Sequence, residues 1–155
     1  MAAGMDYRIV DTEARHIGAL AERLREGDLA EVQAAGITPQ RALWRSWRAS
    51  HFAKTGFVGN EVACIFGCGG SPAGPVGEPW LLTAPAIERA KLTFVREARI
   101  QVLLMMAVWP RLEGRVLASY TKAVRFLRAL GFTVEDGGPL VPGGPPFCTY
   151  RLGAN

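Results

Sequence analysis

The residues that could do chemistry in this chain are few and scattered. Its serines are Ser46, Ser50, Ser71 and Ser119, and none lies in the Gly-x-Ser-x-Gly elbow that presents a hydrolase nucleophile. Its two histidines differ in setting: His16 lies beside a helical apolar stripe and His51 closes a tryptophan-bearing helix, so both read as structural or surface groups. Cys64 and Cys68 fall on one predicted strand, where four residues span roughly 13 Å. A disulfide wants Cα atoms about 5.5 Å apart, so no bridge joins them. With Cys148 they read as free buried thiols, and no Cys-x-x-Cys pair points to zinc. No paired carboxylates or metal-binding acidic cluster appear, and Asp28 and Glu31 have the spacing of a helix capping box.

Two charged or flexible motifs remain. The run Gly67-Cys68-Gly69-Gly70-Ser71-Pro72-Ala73-Gly74 lacks the Gly-Lys-Ser/Thr that opens a phosphate-binding helix, and an apolar strand follows it. It reads as a connection within an exposed Gly/Pro segment from Gly67 to Gly77. Arg41, Arg45 and Arg48 form a stripe beside Trp44 and Trp47. Such a stripe can meet phosphates or an acidic protein, but three charges over two turns more simply make a solvated helix face. Nucleic-acid binding through these arginines ranks last among the functional readings.

These residues need elements to hold them. Tyr7 to Val10 predicts a strand, and Ile17, Leu20, Ala21 and Leu24 a helix. A short helix opens at Gly27-Asp28 and stops at Gly36. Thr38-Pro39 starts a third helix, with Leu43, Trp44 and Trp47 on one side. The period then turns to alternation, predicting a hairpin of Thr55 to Val58 and Glu61 to Phe66 about Gly59-Asn60. Pro79 to Thr83 is a strand, and Pro85 to Trp109 one long helix whose apolar second half must be buried all round or covered by a partner. A strand at Arg115 to Ala118, a helix from Tyr120 to Gly131, and strands at Phe132 to Glu135 and Phe147 to Leu152 complete the order.

The 155 residues, 49% hydrophobic and 21% charged, suit one domain over 1–155 with an ordinary core. A net charge of +4 and a pI near 9.3 permit an anionic partner without requiring one. The apolar run Val102 to Trp109 is far shorter than the ~20 residues of a membrane span. The first residues carry no basic-then-apolar leader pattern, which predicts synthesis for the cytosol.

From Ser119 the chain reads Ser-Tyr-Thr-Lys-Ala-Val-Arg-Phe-Leu-Arg-Ala-Leu-Gly-Phe. The pair Ala123-Val124, followed by Gly131-Phe132, resembles the C-terminal motif of GNAT acyltransferases. The order of strand, hairpin, apolar strand and long helix before it fits the same family. The resemblance implies an α/β (α+β) fold with a mixed, mostly antiparallel sheet flanked by helices. It also implies acetyl-CoA binding at Leu82, Thr83, Arg89, Lys91 and Tyr120. Against that, the chain has no glycine between Gly77 and Gly114, so the family's glycine turn for the pyrophosphate is missing. Tyr120 stands where the family has Asn, and Leu127 where it has the general-acid Tyr.

The segments Pro79-Trp80-Leu81-Leu82, Phe94-Val95-Arg96-Glu97-Ala98-Arg99 and Trp109-Pro110-Arg111-Leu112-Glu113 are similar to short GNAT-like proteins of tailed bacteriophages. That narrower resemblance implies a virion-associated or ejection role in particle or host cytoplasm, with other virion proteins or further copies as partners. It implies no catalysis and no cofactor. The alternative is an N-acyltransferase using acetyl-CoA through a divergent loop.

Overall fold

The computed structural model describes residues 6–154. In chain order the elements are β1 (Tyr7–Asp11), α1 (Ala14–Ala21), α2 (Glu26–Ala34), α3 (Pro39–Ala49), β2 (Ser50–Val58), β3 (Glu61–Gly69) and β4 (Val76–Thr83). A 3-10 segment (Pro85–Ala90) then leads into α4 (Lys91–Met106), β5 (Arg111–Leu117), α5 (Thr121–Ala129), β6 (Thr133–Glu135) and β7 (Phe147–Gly153). The strands form one sheet in the order β1-β2-β3-β4-β5-β7-β6. Every neighbouring pair is antiparallel except β4 and β5, which run parallel. This is the mixed, mostly antiparallel sheet flanked by helices that the family resemblance implies.

Local chemistry explains the well-placed elements. Thr38 Oγ1 accepts the Arg41 N–H at 3.3 Å, and Pro39 takes the first turn of α3, where its missing N–H costs nothing. Gly59 turns the β2–β3 hairpin at φ 59°. Gly131 ends α5 at φ 101°, and Phe132 then packs edge-on against Tyr150, ring centroids 5.1 Å apart. The Ala123-Val124…Gly131-Phe132 unit therefore does what its spacing predicts.

Helices cover both faces. On one, Ile17, Leu20, Val32 and Leu43 of α1–α3 pack on Ile65 and Leu82. On the other, Phe94, Met105 and Val124 of α4 and α5 meet Cys64, Phe66, Val116 and Tyr150. The three cysteines are free and buried, and burial pushes the Cys64 thiol up to about 11 and the Cys68 thiol to about 12. His16 is also buried; its Nδ1 accepts the Glu13 N–H at 3.0 Å and its ring stands edge-on to Phe57.

Several expected boundaries move. Gly67 and Gly69 belong to β3 and Gly77 to β4, so the loop shrinks to 70–75. Gly67 is a packing residue: a Cβ there would lie 2.5 Å from the Phe52 carbonyl oxygen. The helix expected from Pro85 begins as a 3-10 segment and is α-helical only from Lys91. β2 starts at Ser50 and β5 at Arg111, earlier than alternation suggests, and His51 lies in β2. The second half of α4 is not buried all round, since Leu103 is 70% and Leu104 56% exposed. Among the described residues no helix is long and apolar enough to cross a membrane.

Candidate active site

The site begins where the one parallel pair fails. β4 and β5 pair only at Val76 with Arg111 and at Gly77 with Leu112, and beyond these residues the two strands separate. A tyrosine bridges the fork. Tyr150 on β7 lies opposite Gly114 on β5, crosses β5 over that glycine, and its hydroxyl donates to the Pro79 carbonyl of β4 at 2.9 Å. A Cβ on Gly114 would stand 2.3 Å from the tyrosine oxygen, so only glycine leaves room for the ring. The fork exposes backbone groups that an ordinary sheet would pair, and buried backbone groups must find partners.

Helix α2 supplies those partners. Asp28 accepts the Thr83 N–H at 2.8 Å and also the Thr83 hydroxyl, closing the end of β4. Glu31 accepts the Leu117 N–H at 2.9 Å, closing the end of β5. The Thr83 carbonyl accepts the Arg25 N–H at 2.9 Å, while the Arg25 guanidinium reaches Thr83 Oγ1 at 2.6 Å and Glu88 at 2.8 Å. The capping-box reading of Asp28 and Glu31 is thus corrected. Arg25 is the N-cap, α2 starts at Glu26, and both acids stand one turn apart on the buried side of the helix with Val32. The expectation of no paired carboxylates falls with it.

Burial sets the charge state of the pair. It pushes the Glu31 carboxyl up to about 7, partly opposed by the Leu117 N–H and helped by the nearby Asp28 charge. Asp28 is also raised by burial, against the Thr83 hydrogen bonds and Arg25. Tyr120 packs its ring against Gly27 and keeps its phenol protonated, because burial and then the Asp28 charge raise it. Glu31 therefore exchanges a proton near neutrality beside a phenol that holds its own. That is the protonation pattern acid–base catalysis at neutral pH needs.

A cavity of about 720 Å³ runs through this fork. Asp28, Glu31 and Tyr120 line it together with Trp80, Leu82 and Phe147. Lys91, Lys122 and Arg125 also line it and give it cationic groups. Of the residues that the sequence singled out for binding, Leu82, Lys91 and Tyr120 come together here. Thr83 sits at the fork with its N–H and hydroxyl already held by Asp28. Arg89 lies elsewhere, its guanidinium donating to Glu61 at 2.9 Å. Asp28, Glu31, Lys122 and Arg125 escaped the sequence reading. The available signal was two acids at positions of the α2 stripe where a leucine would ordinarily sit. Arg41, Arg45 and Arg48 are exposed on α3. Among the described residues no cluster of His, Cys, Asp or Glu is placed to hold a metal ion.

No protein-family model matches the chain, and no curated protein matches it. Solved structures do. The chain resembles the ribosomal-protein-S18-alanine N-acetyltransferase from Escherichia coli at 14% identity and a TM-score of 0.65, covering 96% of this chain and 94% of that one. A GNAT-family acetyltransferase from Bacillus anthracis is similar at 12% identity and a TM-score of 0.70, over 95% of this chain and 94% of the other. The ribosomal-protein-S5-alanine acetyltransferase from Vibrio fischeri aligns at 13% identity and a TM-score of 0.66, over 95% and 92%. At such identities the likeness is one of fold: the chain has the GNAT acetyltransferase fold over nearly its whole length.

Proposed function

We propose that this chain is an N-acyltransferase, moving an acyl group from a coenzyme A thioester to an amine held at the β4–β5 fork. The observation that carries the reading is the fork itself, a ligand-sized cavity opening where β4 and β5 part and lined by Glu31, whose carboxyl burial pushes up to about 7. Glu31 also pairs the Leu117 N–H, a task that any scaffold with this fork needs done, so the acyltransferase reading rests on the cavity beside it as well. The residues present fit a coenzyme A donor. The cavity is of ligand size, and Lys91, Lys122 and Arg125 offer charge to its phosphates. Side-chain cations would take over what a glycine turn does elsewhere in this fold, since the 3-10 segment after β4 carries no glycine.

The bound thioester supplies an activated carbonyl and a sulfur leaving group. Glu31 accepts a proton from the incoming ammonium or amine, and its raised pKa makes it a competent base near pH 7. Tyr120 carries a proton to donate toward the departing sulfur. Asp28 keeps its hydrogen bonds to Thr83 and holds the end of β4 still. Calorimetric titration with acetyl-CoA tests the reading: micromolar binding supports it, and no heat at millimolar ligand sinks it.

The virion reading keeps one observation of its own, the exposed apolar surface of Ile100, Leu103 and Leu104 on α4. Copurification of the chain with intact phage particles is the measurement that speaks for it.

A further inference from the structure

The α4–α5 side of the sheet holds more empty space than coenzyme A's own arm has reason to use. From the fork, the cavity continues beneath α4 past Leu81 on β4 and Phe66 on β3 to Tyr7 and Ile9 on β1, the opposite edge of the sheet. Three strand spacings separate β4 from β1, about 14 Å. Along that path the roof is Phe94, Val95, Ala98, Val102 and Met105 of α4. The path is apolar until its far end, where Glu97 and Gln101 of α4 and the Tyr7 hydroxyl line it. Tyr7 is further held within 3.7 Å of the Cys64 sulfur.

A void of this kind is costly to keep in a protein interior, which otherwise packs like an organic crystal. An acetyl group at the fork reaches none of these residues beyond β4. An unbranched apolar chain entering from the fork meets a floor of Leu81 and Phe66 and a roof of Ala98 and Val102. Resting on the acyltransferase reading above, we infer that the donor carries a medium or long apolar acyl chain, seated in the tunnel between α4 and strands β4 to β1.

Binding isotherms of the purified protein with free coenzyme A and with acetyl-, butanoyl-, octanoyl- and dodecanoyl-CoA test this without any acceptor or turnover. Each buried methylene is worth about fourfold in affinity. Octanoyl-CoA is therefore expected to bind at least a hundredfold more tightly than acetyl-CoA, with the gain levelling off once the chain reaches Glu97 and Gln101. Val102→Trp, which closes the tunnel midway, should cut the octanoyl gain, and Glu97→Leu should carry the gain on to dodecanoyl. Circular dichroism and thermal melting establish that each variant folds. Equal affinity for acetyl and octanoyl thioesters, or rejection of the longer ones, overturns the tunnel and leaves the acyltransferase reading intact. No binding by any of the five ligands overturns both.

Discussion

The two faces of the sheet are built to different standards. On the α1–α3 face, Ile17, Leu20 and Leu43 have no exposed surface, and two α2 carboxylates stitch the separated ends of β4 and β5. On the α4–α5 face, the helices roof one part of a 720 Å³ cavity, which continues through the fork to Val32 of α2 and Ala42 and Ser46 of α3. One side brings hydrogen-bonded carboxyls to the fork, and the other lines its share of the cavity mainly with apolar side chains. The difference suits a reaction with two unlike substrates. Proton transfer needs groups fixed to a fraction of an ångström, whereas a flexible apolar ligand needs room and little else.

The sharpest way to break this contrast is to remove the charge from the stitched side alone. Glu31→Gln retains an oxygen for the Leu117 N–H and loses the base. Acyl transfer to an amine is expected to fall by about 10²–10⁴, while thioester binding measured by calorimetry falls far less, because Gln keeps the shape and the Leu117 hydrogen bond of Glu31. In the parent, kcat/KM should rise with pH through about 7, the value to which burial pushes Glu31, and that limb should vanish in the variant. Stability moves the opposite way. A carboxyl whose folded pKa lies above its unfolded 4.5 binds its proton more tightly when folded, so it destabilises the protein as pH rises from 4.5 through about 7. Melting temperatures of the parent should decline across that window, and those of Glu31→Gln should decline less.

A second comparison weighs the packing itself. Leu43→Ala opens a hole in the tight face and is expected to cost about 3–4 kcal/mol, whereas Met105→Ala enlarges space that already exists and should cost about 2 kcal/mol, the low end for such truncations. Chemical denaturation of both gives the ranking; a reversed order would mean that the α4 face closes up in solution. Between the faces stands the fork. Gly114→Ala puts a Cβ into the Tyr150 ring, and overpacking of this sort costs about 1–3 kcal/mol. Because the ring must shift, the Tyr150–Pro79 hydrogen bond goes with it, and Tyr150→Phe made alone should lose about 1 kcal/mol.

The same contrast explains what could be read from the chain. Spacing carries the α5 helix and its Gly131 stop, because a backbone conformation at positive φ selects glycine directly. It carries the β2–β3 hairpin for the same reason. It does not carry the starts of β2 and β5, where pairing with neighbours extends strands through residues such as Gly114 whose own preference is weak. Nor does it carry the site. Asp28 and Glu31 are three residues apart, which reads as a local capping arrangement, but their partners Thr83 and Leu117 lie 55 and 86 residues away. Contacts at that separation follow from topology rather than from local pattern. Arg89 shows the reverse error: it is near the expected position in sequence, but its guanidinium turns toward Glu61.

The smallest effect concerns the outside of α4. Leu103 is 70% exposed and lies on the opposite side of the helix from the tunnel lining, so Leu103→Glu removes little buried surface from the single chain. Its unfolding free energy should stay within about 0.5 kcal/mol of the parent, as for surface changes that touch no cap, cavity or buried polar group. Exposed apolar side chains are common one at a time, but Ile100, Leu103 and Leu104 share one face of α4, and Val108 just beyond its end is exposed as well. Sedimentation over a range of concentrations separates two causes of that run. A parent that self-associates, beside a Leu103→Glu variant that stays monomeric at the same stability, assigns the outer face of α4 to a second copy. A parent that is monomeric throughout leaves the run to the inner face, as the surface of a helix held by few sheet contacts because its other side roofs a cavity.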